Sequence, residues 1–169
     1  MAEYPVLYNE EERLQAVEQC GLLDTPDEPR FDRLTRLAAY LTNAPIALIS
    51  LVATERQWFK SRHGFATRET ARDIAFCNFA LTESTLFIVE DATQDDRFRN
   101  NPLVTGKMGI RFYAGKAITG LAGHRLGTLC VIDTVARGLD PVQRRLFEDL
   151  ALCASDIIRG AELERQKTI

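Results

Sequence analysis

The chain has no long apolar run. Its N-terminus lacks a basic start followed by an apolar segment, and no stretch approaches the roughly 20 residues needed to span a bilayer. The sequence therefore predicts a cytoplasmic protein without a membrane anchor. Clustered Lys and Arg are also missing. A net charge of −3 over 169 residues argues against a nucleic-acid partner, because phosphate binding draws on concentrated positive charge. Only two histidines occur, His63 and His124, in different turns and without carboxylates at ligand spacing, so no metal is expected. The four cysteines, Cys20, Cys77, Cys130 and Cys153, include no C-x-x-C pair. Their apolar surroundings predict reduced, mostly buried thiols, not zinc ligands or a disulfide framework.

The apolar fraction of 46% and charged fraction of 27% are those of a folded domain, and the length suits one core. We read residues 1–21 as an N-terminal helix and residues 22–165 as a single domain ending in a long helix. The organising stretch is 109–133, GIRFYAGKAITGLAGHRLGTLCVID. Its two apolar runs, joined by a glycine-bearing loop, predict a β-hairpin at the centre of a sheet. Phe112, Ala114 and Ile118 alternate with Tyr113 and Ala117, and Leu129 and Val131 alternate with Cys130 and Ile132. Both faces are apolar, so both must be covered.

Upstream, Asn9 followed by three glutamates predicts a helix start with a capping box, ending at Gly21. Its apolar stripe, Leu14 and Val17, is narrow enough to suggest docking on a second subunit, or else on the edge of its own core. Phe31, Leu34, Leu37, Ala38 and Leu41 recur at helical spacing and predict a second helix closed by Asn43. Residues 46–52 and 56–62 read as an antiparallel strand pair, 64–84 as a loop with a short helix, and 86–89 as a further strand. Residues 90–108 form a long polar segment of the kind that is more often functional than decorative. Asp140 before Pro141 predicts the final helix, with Val142, Leu146, Leu150, Cys153 and Ile157 as a stripe fit for a core face or a short coiled-coil seam.

The motifs CGLLDTP (20–26), FDRLTRLAAYLTNAPIALISLV (31–52), RQWFKS (56–61), DDRFRNNPLVTG (95–106), IRFYAG (110–115) and LGTLCVID (126–133) resemble those of the GAF domain family of bacterial signalling proteins. The resemblance implies an α+β fold: a central antiparallel sheet with the terminal helices on one face, and inserted loops over a small-molecule pocket on the other. It further implies a sensory, non-enzymatic role, homodimerisation through the N- and C-terminal helices, and a separate output protein. An initiating Met and an end soon after the last helix favour a chain acting alone on that partner over a fragment of a longer regulator. Neither the signature of cyclic-nucleotide GAF domains nor the clustered cysteines of free methionine sulfoxide reductases is visible. Where relatives often carry a histidine two places after the cysteine of FCNFAL, this chain has Phe79. Cys77 thus lacks an obvious activating base, and no cofactor is identified.

The candidate ligand-binding residues are Trp58, Phe76, Cys77, Asp91, Asp96, Arg97, Phe98, Arg111 and Tyr113. Polar tips in an apolar cleft orient small ligands. The same aspartates can equally cap turns, with Arg97 and Arg111 pairing to them, and the aromatic residues, Phe112 included, can be plain core. Two alternatives follow. One is a degenerate GAF fold serving as a dimerisation or docking module, favoured if aromatic side chains fill the pocket. The other is a redox role for Cys77 or Cys130, which requires the two thiols together with one depressed in pKa.

Overall fold

The computed structural model describes residues 4–167. Strand alternation decides its architecture. Strands β1 (Ile46–Val52), β2 (Arg56–His63), β3 (Glu69–Ala71), β4 (Phe87–Val89), β5 (Phe112–Thr119) and β6 (Arg125–Asp133) form one antiparallel sheet in the order β3-β2-β1-β6-β5-β4. β1 pairs on both edges and buries all seven residues, which is why its sequence is a continuous apolar run with a single hydroxyl, Ser50.

One face packs on helices α1 (Glu10–Gln19), α2 (Pro29–Thr42) and α5 (Pro141–Lys167). Ala47, Ile49, Leu51, Phe112, Ala114, Ile118, Leu129 and Val131 meet Val17, Phe31, Leu34, Ala38, Phe147, Ala151 and Ile158 there. The other face carries Leu48, Val52, Phe59, Tyr113, Cys130 and Ile132 beneath α3 (Cys77–Thr82) and the 90–108 segment. The two-sided hairpin and the helix layer match the sequence expectation. β3, and the one-turn helix α4 (Pro102–Thr105) within the long segment, were not anticipated, since neither is long enough to show a period.

Two local expectations are corrected, and α1 takes the second of its two expected placements. Asn9 makes no side-chain cap on α1; its amide lies 3.4 Å from Nδ1 of His124 instead. α1 docks on its own domain through a polar anchor in place of a wide apolar stripe. Arg13 is fully buried, donates to both Glu10 carboxylate oxygens, and reaches the carbonyls of Arg125 and Leu126 on β6. Glu10 also takes buried Arg72 at 3.1 Å. Finally, α5 begins in a reciprocal cap, with the Gln143 amide donating to Asp140 and the Asp140 amide to Gln143 Oε1, yet its core face is Phe147, Ala151, Ala154 and Ile158. The expected stripe is the adjacent one, and Val142, Leu146 and Cys153 are exposed.

Candidate functional site

The face expected to hold a ligand is filled by the protein's own rings. Phe76 stacks on Phe98 at 4.1 Å, and Phe79 meets Phe98 edge-on at 4.8 Å. Phe87 and Tyr113 close the cluster, with Tyr113 5.3 Å from Phe76 and 6.1 Å from Phe87. The Arg97 guanidinium covers it from outside, 5.0–5.6 Å from the centroids of Phe79, Phe87 and Phe98. Phe98 enters from the 90–108 segment because its flanks are pinned. Asp95 accepts from the Arg97 amide and guanidinium, and Asn101 caps α4 while donating to the Ile74 carbonyl. Beside the cluster, among the described residues, lies a cavity of about 20 Å³ lined by Phe76, Cys77, Tyr113 and Cys130. That is the scale of a single water. Larger concavities lie elsewhere, including about 280 Å³ between α1, the β5–β6 loop and α5, and about 230 Å³ between α2 and α5.

Of the expected site residues, Phe76, Cys77, Phe98 and Tyr113 come together, with Arg97 as their outer cover. The others do not join them. Trp58 belongs to the opposite, helix-facing core, because its neighbours Gln57 and Phe59 take the pocket side of β2; Phe112 is turned away in the same manner. Asp91 caps the 3-10 turn at 92–94 by accepting from the Thr93 amide, and Asp96 is exposed and paired with Arg99. Arg111 pairs with no carboxylate among the described residues and donates to the Val104 and Ile110 carbonyls, closing the base of the segment.

The cavity wall holds a polar cluster that the sequence reading did not assemble. Thr128 Oγ1 lies 3.0 Å, Tyr113 Oη 3.1 Å and Ser50 Oγ 3.4 Å from Cys77 Sγ, and Cys130 lines the same cavity as Cys77. Gly115 makes this possible, for a Cβ there would stand 2.4 Å from Tyr113 Oη and push the ring aside. Burial opposes ionisation of Cys77, but hydrogen bonds from Cys130, Ser50, Thr128 and Tyr113 outweigh it and bring this thiol down to about 7. Cys130 moves the other way, held protonated by its bond to Cys77 and by burial. Tyr113 is likewise pushed up, by burial and by the neighbouring Cys77 charge. Gln57 lines the cavity too; its Nε2 donates to Thr70, but its buried Oε1 has no partner. Ser50 and Thr128 were the overlooked signal: a hydroxyl inside a wholly buried strand has to be bonded to something.

This sheet, flanked by terminal helices on one face and by short helices and loops on the other, is shared with solved structures. The blue-light absorbing form of the PixJ GAF domain from Thermosynechococcus elongatus superposes with a TM-score of 0.65 at 12% identity, over 97% of this chain and 95% of that one. The GAF domain of an Acinetobacter phosphoenolpyruvate-protein phosphotransferase gives 0.63 at 12% identity, over 94% and 97%. The chain has the GAF fold. No family model matches the sequence. A cyclic di-GMP phosphodiesterase of Pseudomonas aeruginosa is 42% identical over 138 residues, 82% of this chain. The chain spans about a quarter of that protein, 24%. Among the described residues of this GAF domain, no helix is long and apolar enough to cross a membrane, and no group of three or more His, Cys, Asp or Glu is placed to hold a metal.

Proposed function

We propose that this chain is a regulatory GAF domain of bacterial signalling, in a cyclic di-GMP system as its Pseudomonas relative's name suggests, and that it acts by docking. It is not read as a holder of an organic ligand. The carrying observation is the packed aromatic cluster and the roughly 20 Å³ left beside it, well below the ~300 Å³ at which small-molecule pockets begin. A domain that neither holds such a ligand nor turns one over transmits through its surface.

The surface in question is the outer side of α2 and α5, where Leu37, Tyr40, Val142, Leu146 and Leu152 are exposed. Arg33 and Arg36 accompany the apolar residues of α2, whereas Asp149 and Asp156, together with Arg145, accompany those of α5. A two-fold axis placing α2 against the partner copy's α5 would set Arg33 and Arg36 against Asp149 and Asp156, which makes a second copy of the chain the occupant. α5 thus keeps its expected place in the dimer, and α2 takes that of α1, whose anchor is spent inside its own domain. Native mass spectrometry of protein purified from its own host tests both points. The expected species is a dimer of bare subunit mass. A non-covalent adduct of nucleotide or chromophore size would restore the sensory reading, and a bare monomer would remove the α2–α5 contact.

A further inference from the structure

We propose that Cys77 and Cys130 form a peroxide-reactive dithiol: a site on the pocket face that admits hydrogen peroxide and records it as a reversible disulfide. This goes beyond the docking role and does not depend on it. Three independent features meet there. First, two free, buried thiols from different elements, α3 and β6, line the same small cavity on the pocket face. Second, hydroxyls of Ser50 from β1, Tyr113 from β5 and Thr128 from β6 converge on Cys77 Sγ at 3.0–3.4 Å. With the Cys130 thiol they are the groups facing this sulfur; none is a carboxylate or a formal cation, and all can donate to a thiolate. Third, both sulfurs border a cavity of about 20 Å³ whose wall includes Gln57, with its orphaned amide oxygen. If the amide were turned about, its nitrogen would be the orphan. Either way the site offers an unpaired polar atom to a guest of one or two oxygens, and nothing larger fits.

The chemistry balances without a further reactant. The Cys77 thiolate attacks one peroxide oxygen; an S–O bond forms, the O–O bond breaks, and its electron pair leaves with the second oxygen, which takes a proton to become water. Cys77 is then a sulfenic acid. The Cys130 sulfur attacks it; an S–S bond forms, the S–O bond breaks, and hydroxide departs with the Cys130 proton as a second water. In sum, two thiols lose two electrons and two protons to one peroxide. Bonded sulfurs sit about 2.05 Å apart, so the disulfide draws α3 toward β6. α3 carries Phe79 and follows directly on Phe76, and its Asn78 accepts from Arg72, the residue that also holds Glu10 of α1. The event therefore bears on both the aromatic cluster and the N-terminal helix.

The test is stoichiometric hydrogen peroxide on the reduced Cys153→Ser protein, followed by non-reducing peptide mass spectrometry. Cys20, buried on the other face of the sheet, serves as the internal control. The expected result is a linked Cys77–Cys130 peptide pair lighter by two hydrogens and restored by dithiothreitol, with Cys20 unchanged. In Cys130→Ser, Cys77 should stop at a sulfenic acid that dimedone captures. Gln57→Met should slow disulfide formation about three- to tenfold, the worth of one hydrogen bond to the guest. The proposal is overturned if Cys77 and Cys130 stay reduced at doses that oxidise Cys153 in the unmodified chain, or if Cys77 is over-oxidised without linking. Should Cys130→Ser not fold, the cross-link in the Cys153→Ser protein decides alone.

Discussion

Phe98→Ala removes the ring on which the pocket face depends. Phe98 is 1% exposed and touches Phe76, Phe79 and Phe87, while Arg97 lies over it. Burying a phenylalanine side chain is worth roughly 2 kcal/mol over leaving it exposed. Loss of the ring also leaves a void on the order of 100 Å³, which at ~24 cal/mol per Å³ adds roughly 2.4 kcal/mol. The expected destabilisation is therefore about 4 kcal/mol, read as a lower urea midpoint at unchanged slope. The void is lined by Phe76, Phe79 and Phe87, so benzene should enter it. At about 100 times its dissociation constant such a probe returns about 2.7 kcal/mol, and it should leave the parent protein unaffected. A loss below about 1.5 kcal/mol, or equal stabilisation of the parent by the probe, would mean that the ring does not fill this space in solution. The docking reading would then lose its basis.

Glu10→Gln leaves the buried Arg13 and Arg72 guanidiniums without their shared carboxylate, and α1 should loosen at a cost of about 3 kcal/mol, seen as lost hydrogen-exchange protection across residues 10–19. The arginines hold the Glu10 carboxyl below its usual range against the effect of burial, so the stability it supplies is present above the unfolded-state pKa and is lost as pH falls through the lower folded value. α1 protection should drop with acid in the parent and stay low and flat in Glu10→Gln. Leu146→Glu on the exposed stripe should convert the dimer to monomer by light scattering, with a change in monomer stability within about 0.5 kcal/mol.

The hairpin was legible because its strands are long enough, and buried enough on both faces, for alternation to sort their side chains into two sets, although it does not say which set faces the pocket. The helix layer was legible in outline but not in detail. On α5 two apolar stripes run side by side, and the larger residues, Val142, Leu146 and Leu150, drew attention from the small ones. The core face takes Ala151 and Ala154 because helix and sheet approach closely there. On α1 the choice between its own core and a second subunit stayed open for a related reason: its anchor is a buried arginine, which hydrophobic periodicity discounts. The candidate site was half legible. Phe76, Phe98, Cys77 and Tyr113 could be proposed from their place near the pocket face, whereas Trp58 could not be placed until the register of β2 was known. The polar cluster required Ser50, Thr128 and Cys130 to be brought together from β1 and β6, whose pairing sets Ser50 opposite Thr128.

Tyr113→Phe separates a reactive thiol from a merely well-packed one. The ring, its stacking and the space over Gly115 are kept; only the hydroxyl 3.1 Å from Cys77 Sγ is lost. A thiol in a structural role would not register the change, since Cys77 retains Ser50, Thr128 and Cys130 as neighbours, and stability should move by no more than about 1 kcal/mol. A thiolate would register it. One hydrogen bond of about 1 kcal/mol to the charged form corresponds to roughly 0.7 of a pKa unit at 1.36 kcal/mol per unit. The rate at which a small alkylating agent modifies Cys77 should therefore rise with pH through about 7 in the parent, and the midpoint should move upward by that amount in Tyr113→Phe. Peroxide oxidation at neutral pH should slow in step, because only the thiolate attacks. Cys20, raised by burial and bonded to the Val17 carbonyl, should stay inert in both proteins. If the midpoint does not move while the rates of both proteins still climb through the same pH, the hydroxyl ring around Cys77 is packing, and the ionisation has another source.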